Sequence, residues 1–411
     1  MFMLKAGSLL YAIYVCLIIA ILSGGLIYIF TINKSLASRY EVKAQLVDRC
    51  ESCFDYYLSN PDGFEKKALQ KIDLFDDGLI CEFKKERWGM YAKLQGKAYF
   101  RKDTVENSFI VGQRKQKRPL ALYLCDFGEE LKISGITEIK GDMKLPKKRY
   151  KVVNILGNQQ ANNPKVIGNI GVSSQNLPKI IPPQLTYPHN IKETSLSSFK
   201  KNELIYRGFD QETMLIYLDK GENLDRMRIK GNFIIKSNDT IKIDDTSKIE
   251  DVIIQAPKVV IEEDFEGSIQ IYADKEVVIE SYVKLRYPSC IVIDDSTRDY
   301  DKKIEIAEDV EIYGGIVIDG NSFRERQNNF VTVEENSMIV GDVYCNGILE
   351  LKGSVIGSVY AHKLQLETRS SKYADVILNG LIDTENIPEG YVKLPLFVNP
   401  EEKKLERIKK I

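Results

Sequence analysis

Apolar and polar positions divide this chain into three parts. From Leu9 to Phe30 it runs 22 residues without a charge (LLYAIYVCLIIAILSGGLIYIF). At about 1.5 Å per residue such a helix measures roughly 33 Å, enough to cross a hydrocarbon layer of about 30 Å. Leu9, Leu10, Ile13, Leu17, Ile19, Ile21, Leu26 and Phe30 are therefore expected in a transmembrane segment. Leu36, Tyr40, Val47, Cys50, Phe54 and Tyr57 then recur in a four–three alternation, broken at Lys43, with no Pro or Gly before Pro61-Asp62-Gly63. This predicts one helix from Ser8 to Tyr57, apolar all round at first and amphipathic afterwards. The run is longer than the core of a cleaved signal and no small-x-small site follows it, so it is expected to remain as an anchor.

The second part is strand-like. Trp88, Met90, Ala92, Leu94, Ala98 and Phe100 alternate with mostly polar neighbours, which predicts a half-buried strand. Phe109-Ile110-Val111 and Leu120-Ala121-Leu122-Tyr123-Leu124 are further strands, so 61–130 is read as a small β-rich domain.

The third part is repetitive. Short Val/Ile tracts such as Val252-Ile253-Ile254, Val259-Val260-Ile261, Ile291-Val292-Ile293, Ile316-Val317-Ile318 and Val331-Thr332-Val333 are separated by Asp, Asn, Gly and Ser turns. Ile339-Val340-Gly341-Asp342-Val343-Tyr344 returns as Val355-Ile356-Gly357-Ser358-Val359-Tyr360. Tiny strands at a short, steady period predict a parallel β-helix or solenoid, right-handed by the habit of such folds. The fold class is thus all-β, carrying an N-terminal transmembrane-plus-amphipathic helix. The expected segments are 1–60 (helix), 61–130, 131–156 (first coils), 157–226 (a Pro/Asn-rich excursion or linker), 227–386 (β-helix) and 387–411, a charged tail expected to be helical. Charged insertions near 294–303 and 320–329 are expected to bulge out as loops.

Charge changes this picture little. Lys+Arg is 58 and Asp+Glu is 59, so no overall field points to nucleic acid. Arg114-Lys115-Gln116-Lys117-Arg118 and Lys147-Lys148-Arg149-Tyr150-Lys151 read as solvated loops, with no aromatics interleaved for base stacking. His189 and His362 are the only histidines, which argues against His-based catalysis or a His-rich metal site.

The seven cysteines are irregularly spaced and do not fix a redox compartment. Cys50-x-x-Cys53 sits near a helix end among Asp48, Glu51 and Asp55, where thiol pKa values rise, so a redox role is disfavoured. A zinc site from Cys50, Cys53, Cys81 and Cys125 lacks a second CxxC; helix packing or a structural bridge remain. Asp244-Asp245, Asp294-Asp295 and Asp319 could serve a glycan-cleaving β-helix, but they read as turn residues. No catalytic, cofactor or metal residue is expected, and no cofactor or small-molecule ligand.

The N-terminal 57 residues resemble the helix of minor pilins and pseudopilins. Lys5-Ala6-Gly7 followed by Ser8-Leu9-Leu10 fits a short basic leader, with Gly7 and Ser8 at the processing point. Ala12 stands where major pilins carry a glutamate, so the resemblance is to minor members. Lys34, Arg39 and Lys43 outnumber the charges before the run and alone would place the C-terminal part in the cytoplasm; the resemblance implies the opposite. Gly341-Asp342-Val343-Tyr344 and Gly357-Ser358-Val359-Tyr360-Ala361 resemble steps of bactofilin-type polymer-forming solenoids, from which the insertions and tail depart.

The expected protein is a non-catalytic, single-pass protein of the cytoplasmic (inner) membrane. It presents a β-solenoid outside the cytoplasm, with protein partners in an envelope assembly. The alternatives are a tethered module binding or cleaving envelope polysaccharide, and a cytoplasmic-facing scaffold.

Overall fold

The computed structural model describes residues 6–60, 70–116, 118–155, 163–188, 190–294, 301–320, 322–397 and 404–411; Pro61-Asp62-Gly63, Lys117, His189, 156–162 and 295–300 lie outside them. The described chain is mostly β, with one long N-terminal helix, α1 (Ala6–Ser59). It divides into two compact units. The first holds α1 to Tyr57, 70–84 and 95–107; the second holds 85–94 and nearly everything from Ser108 onward.

In the first unit, Leu46, Cys50, Cys53, Phe54 and Tyr57 are buried at helical spacing. Phe54 meets Phe83 edge-on at 5.1 Å. A Cβ at Gly96 would lie 2.4 Å from the Phe54 ring, so only glycine lets the helix settle here. The amphipathic stripe is shorter than expected: Leu36, Tyr40 and Val47 are exposed, and Leu46 takes the buried place assigned to Val47. The strand read through Trp88 is two strands, Ile80–Trp88 and Tyr91–Phe100, with Gly89 turning between them at φ +59°. The apolar alternation runs across the turn, but Tyr91 and Lys93 are buried while Ala92 and Phe100 are only half-buried.

The second unit is built from parallel ladders. Arg228–Ser237 pairs with Lys248–Ile261, which pairs with Glu266–Ile279, then Lys284–Ile293 and Glu311–Ile318. Partners lie from 15 positions apart (Ile348↔Lys363) to 27 (Lys284↔Glu311), the larger steps where insertions intervene. Three ladders recur, through Arg228↔Lys248, Ile234↔Ile253 and Ile241↔Val259. Long strands bend from one ladder to the next. Glu266–Ile279 pairs by its first part with Lys284–Ile293 and by its last with Lys303–Ile306. Val343–Leu351 likewise pairs with both Glu311–Ile318 and Phe330–Val333. Six parallel strands thereby close a circuit of pairings. Inward Val, Ile and Leu from every level form one continuous core, including Ile254, Ile271, Ile291, Ile316 and Val343.

Three expected segments are corrected. Leu131–Ser134, Glu138–Lys140 and Asp142–Leu145 are not the first coils: Glu138 pairs with Leu381, Lys132 with Val376, and Leu120–Leu124 pairs with Val359–Glu367. The N-terminal strands thus stack beyond the last C-terminal level, where they cover a strand edge that would otherwise be bare. The excursion ends early, because Ile191–Ser195, Leu204–Arg207 and Thr213–Leu218 are ladder strands at the opposite end. The tail is not helical: Leu405–Lys410 is a strand antiparallel to Asp103–Gln113 through 109–113. Six residues make a poor isolated helix, and a neighbouring edge supplies their backbone partners.

Candidate functional site

The residues singled out as membrane-facing lie on α1 with nothing over them. Leu9, Leu10, Ile13, Leu17, Ile19, Ile21, Leu26 and Phe30 are all exposed, Leu9 at 70% and Phe30 at 70%. Gly7 and Ser8 lie in the first turns of α1. The helix is long and apolar enough to cross a membrane. A bare apolar surface of this size is stable only against a non-aqueous partner.

Cys53 bonds Cys81, not Cys50, so the CxxC pair is not a disulfide; Cys50 is buried and outside any disulfide. Burial pushes the Cys125 thiol up to about 12 and raises Cys290 and Cys345 as well, which makes them poor nucleophiles. Among the described residues no group of three His, Cys, Asp or Glu is placed to hold a metal.

The ladder register gathers residues that are scattered in sequence. Ala273, Ile293, Ile318, Cys345, Ala361 and Leu124 are successive partners in the second ladder. The next residues along, Asp274, Asp294, Asp319, Asn346, His362 and Cys125, therefore stack at one corner. Burial, then the neighbouring Asp294, raises the Asp274 carboxyl. Asp319 accepts from Asn346 Nδ2 (3.0 Å) and the Gly320 amide (2.8 Å). Asp244 instead accepts from Thr246 Oγ1 in a turn of another ladder, and Asp295 lies outside the described residues. His362 is buried, meets Phe127 edge-on at 4.7 Å, and its Nδ1 has no hydrogen-bond partner among the described residues. Burial, with Arg326 and Lys363 nearby, lowers its pKa to about 4.

The outward side of the second ladder is apolar too, and three segments cover it. Ile234, Ile253, Val292, Val317 and Tyr344 form a second core with Trp88, Met90, Leu177, Leu394 and Leu396. Residues 88–91 dock through Gln270, whose Oε1 accepts from the Met90 amide (2.9 Å) while its Nε2 donates to the Trp88 carbonyl (3.2 Å). Residues 391–397 are pinned by Lys393, 2.9 Å from buried Asp342. The strap at 174–188 spans the ladder lengthwise. Ser174 meets the Tyr123 hydroxyl, the Pro178 carbonyl accepts from Tyr344, and Tyr187 donates to Gln255. The sequence signal for this face was the middle residue of each Val/Ile triplet, which alternation assigns to the outside.

Clefts lie where the strap and the 114–118 loop meet this face. One of about 570 Å³ is lined by Lys179, Asp319, Arg326, Tyr344 and Asn346. The next, about 410 Å³, is lined by Arg118, Tyr123, Asp142, Lys144, Lys179, Tyr360 and Phe397. A third, about 430 Å³, shares Arg118 and Asp142 and adds Lys115 and Glu385. The two basic stretches of the sequence have different fates. Arg118 joins a cleft, whereas Arg149 pairs with Glu130. No family model, curated protein or solved structure matches the chain.

Proposed function

We propose that this chain is a non-catalytic, single-pass protein of the cytoplasmic membrane. Its helix carries a right-handed parallel β-helix outside the cytoplasm, as a pilin-like or structural component of an envelope assembly. The observation that carries the reading is the bare apolar run of α1, continuous with a half whose buried residues pack within a folded unit. Two further observations support it. The Cys53–Cys81 bond suits an oxidising compartment, which favours the extracytoplasmic side over the one-sided count of basic residues. Parallel strands paired level upon level suit a coil, and crossover connections between parallel strands are right-handed in nearly every case.

Protease treatment of spheroplasts tests the reading. The account expects the ladder unit to be digested while the inner membrane stays sealed, and Cys53 and Cys81 to resist alkylation until reduced. A protected ladder with both thiols free would contradict it.

A further inference from the structure

We infer that the three clefts form one groove that binds an acidic polysaccharide carrying carboxylates at intervals. The clefts adjoin: the first two share Lys179, and the second and third share Arg118 and Asp142. A groove three clefts long fits a polymer better than a single small molecule.

Its chemistry selects the class. Arg118, Lys144 and Lys179 come from separate segments, lie exposed, and carry no ion pair or side-chain hydrogen bond among the described residues. Some cations elsewhere on the ladders are matched to carboxylates, as Lys230 is to Glu250 (2.7 Å) and Lys258 to Glu276 (2.7 Å). Three unmatched cations converging on one cleft are a site for anionic groups. Between them Phe397 and Tyr360, with ring centroids 4.8 Å apart, offer an apolar platform of the kind that receives a sugar ring's C–H face. Asp142, Asp319 and Glu385 interrupt the cations. Carboxylates accept from sugar hydroxyls but repel a backbone charged at every residue, so the pattern favours a sparsely charged glycan over nucleic acid. The inference goes beyond the anchor reading and does not depend on it, since the groove belongs wholly to the second unit.

The test uses the full-length protein in detergent, run in native gels containing hyaluronan (one carboxylate per disaccharide), neutral dextran, or a single-stranded oligonucleotide. Retardation is expected with hyaluronan alone. Arg118→Gln, Lys144→Gln and Lys179→Gln should each weaken apparent affinity about tenfold, as for loss of one charge-assisted contact. Lys230→Gln, outside the groove, should not. Each variant's circular dichroism is read alongside, and because the three sites are exposed and separate, any one that keeps its fold decides the case. The inference is overturned if hyaluronan gives no retardation, if dextran or the oligonucleotide retards as strongly, or if folded groove variants bind like the parent.

Discussion

The molecule has two large apolar surfaces and treats them in opposite ways. The outward side of the second ladder is covered by three separate segments, 88–91, 174–188 and 391–397. Among the described residues none covers the first half of α1, and every apolar side chain from Leu9 to Phe30 is exposed. Covering the ladder face takes a strap, a glycine turn at Gly89 and a buried Lys393–Asp342 pair. A Cβ at Gly89 would lie 2.1 Å from Gln270 Oε1, at a φ of +59° that suits glycine, so another residue there would push the Gln270 amide out of this docking. Where the chain supplies a cover, the surface is a core. The 22-residue run of α1 is instead long and apolar enough to cross a membrane.

The sharpest way to break the contrast is to place a charge on each surface. Val292 is fully buried between the ladder and its cover. Val292→Asp should cost more than about 4 kcal/mol, read as loss of the cooperative transition in denaturant. Ile19→Lys on the bare run should leave that transition unchanged. It should disfavour membrane insertion by about 3 kcal/mol, read by alkaline extraction of membranes. Equal effects of the two changes on folding would erase the distinction.

Acid offers a milder separation. His362 titrates near 6.5 when unfolded and about 4 when folded, so the unfolded chain binds the extra proton between those values. Stability is then fully present above about pH 6.5 and falls as pH drops toward 4, by roughly 2–3 kcal/mol. His362→Gln should flatten this slope in denaturant titrations at stepped pH, while the membrane attachment of α1 stays constant.

The smallest effect refines the account of the covered face. The Tyr272 hydroxyl is buried there with no hydrogen-bond partner among the described residues. Tyr272→Phe should therefore be neutral or raise stability by up to about 1 kcal/mol. A loss of more than that in thermal unfolding would mean that the hydroxyl has a partner and that the cover sits differently.

How much was legible follows the same division. The α1 run and the Val/Ile tracts were readable because each is a local pattern: a charge-free stretch long enough to span a bilayer, and strands whose inward residues recur. The tail was misread because Leu405–Lys410 has no strong period of its own, and its strand state comes from the edge beside 109–113. The stacking of Glu138–Lys140 on Leu381–Asp383 was invisible, since nothing local says which end of a ladder a distant strand will cap. The corner row of Asp274, Asp294, Asp319, Asn346, His362 and Cys125 needed the register, because insertions make their spacings unequal. The groove was hidden for a related reason. Arg118 reads as part of a solvated loop until Lys144 and Lys179 are brought beside it.

Intact mass of the protein extracted from the membrane fraction tests the central claim most directly. The account predicts a chain that begins at Met1, Gly7 or Ser8 and keeps the whole run from Leu9 to Phe30. A mass that lacks this run, or a full-length chain recovered only in the soluble fraction, would contradict it.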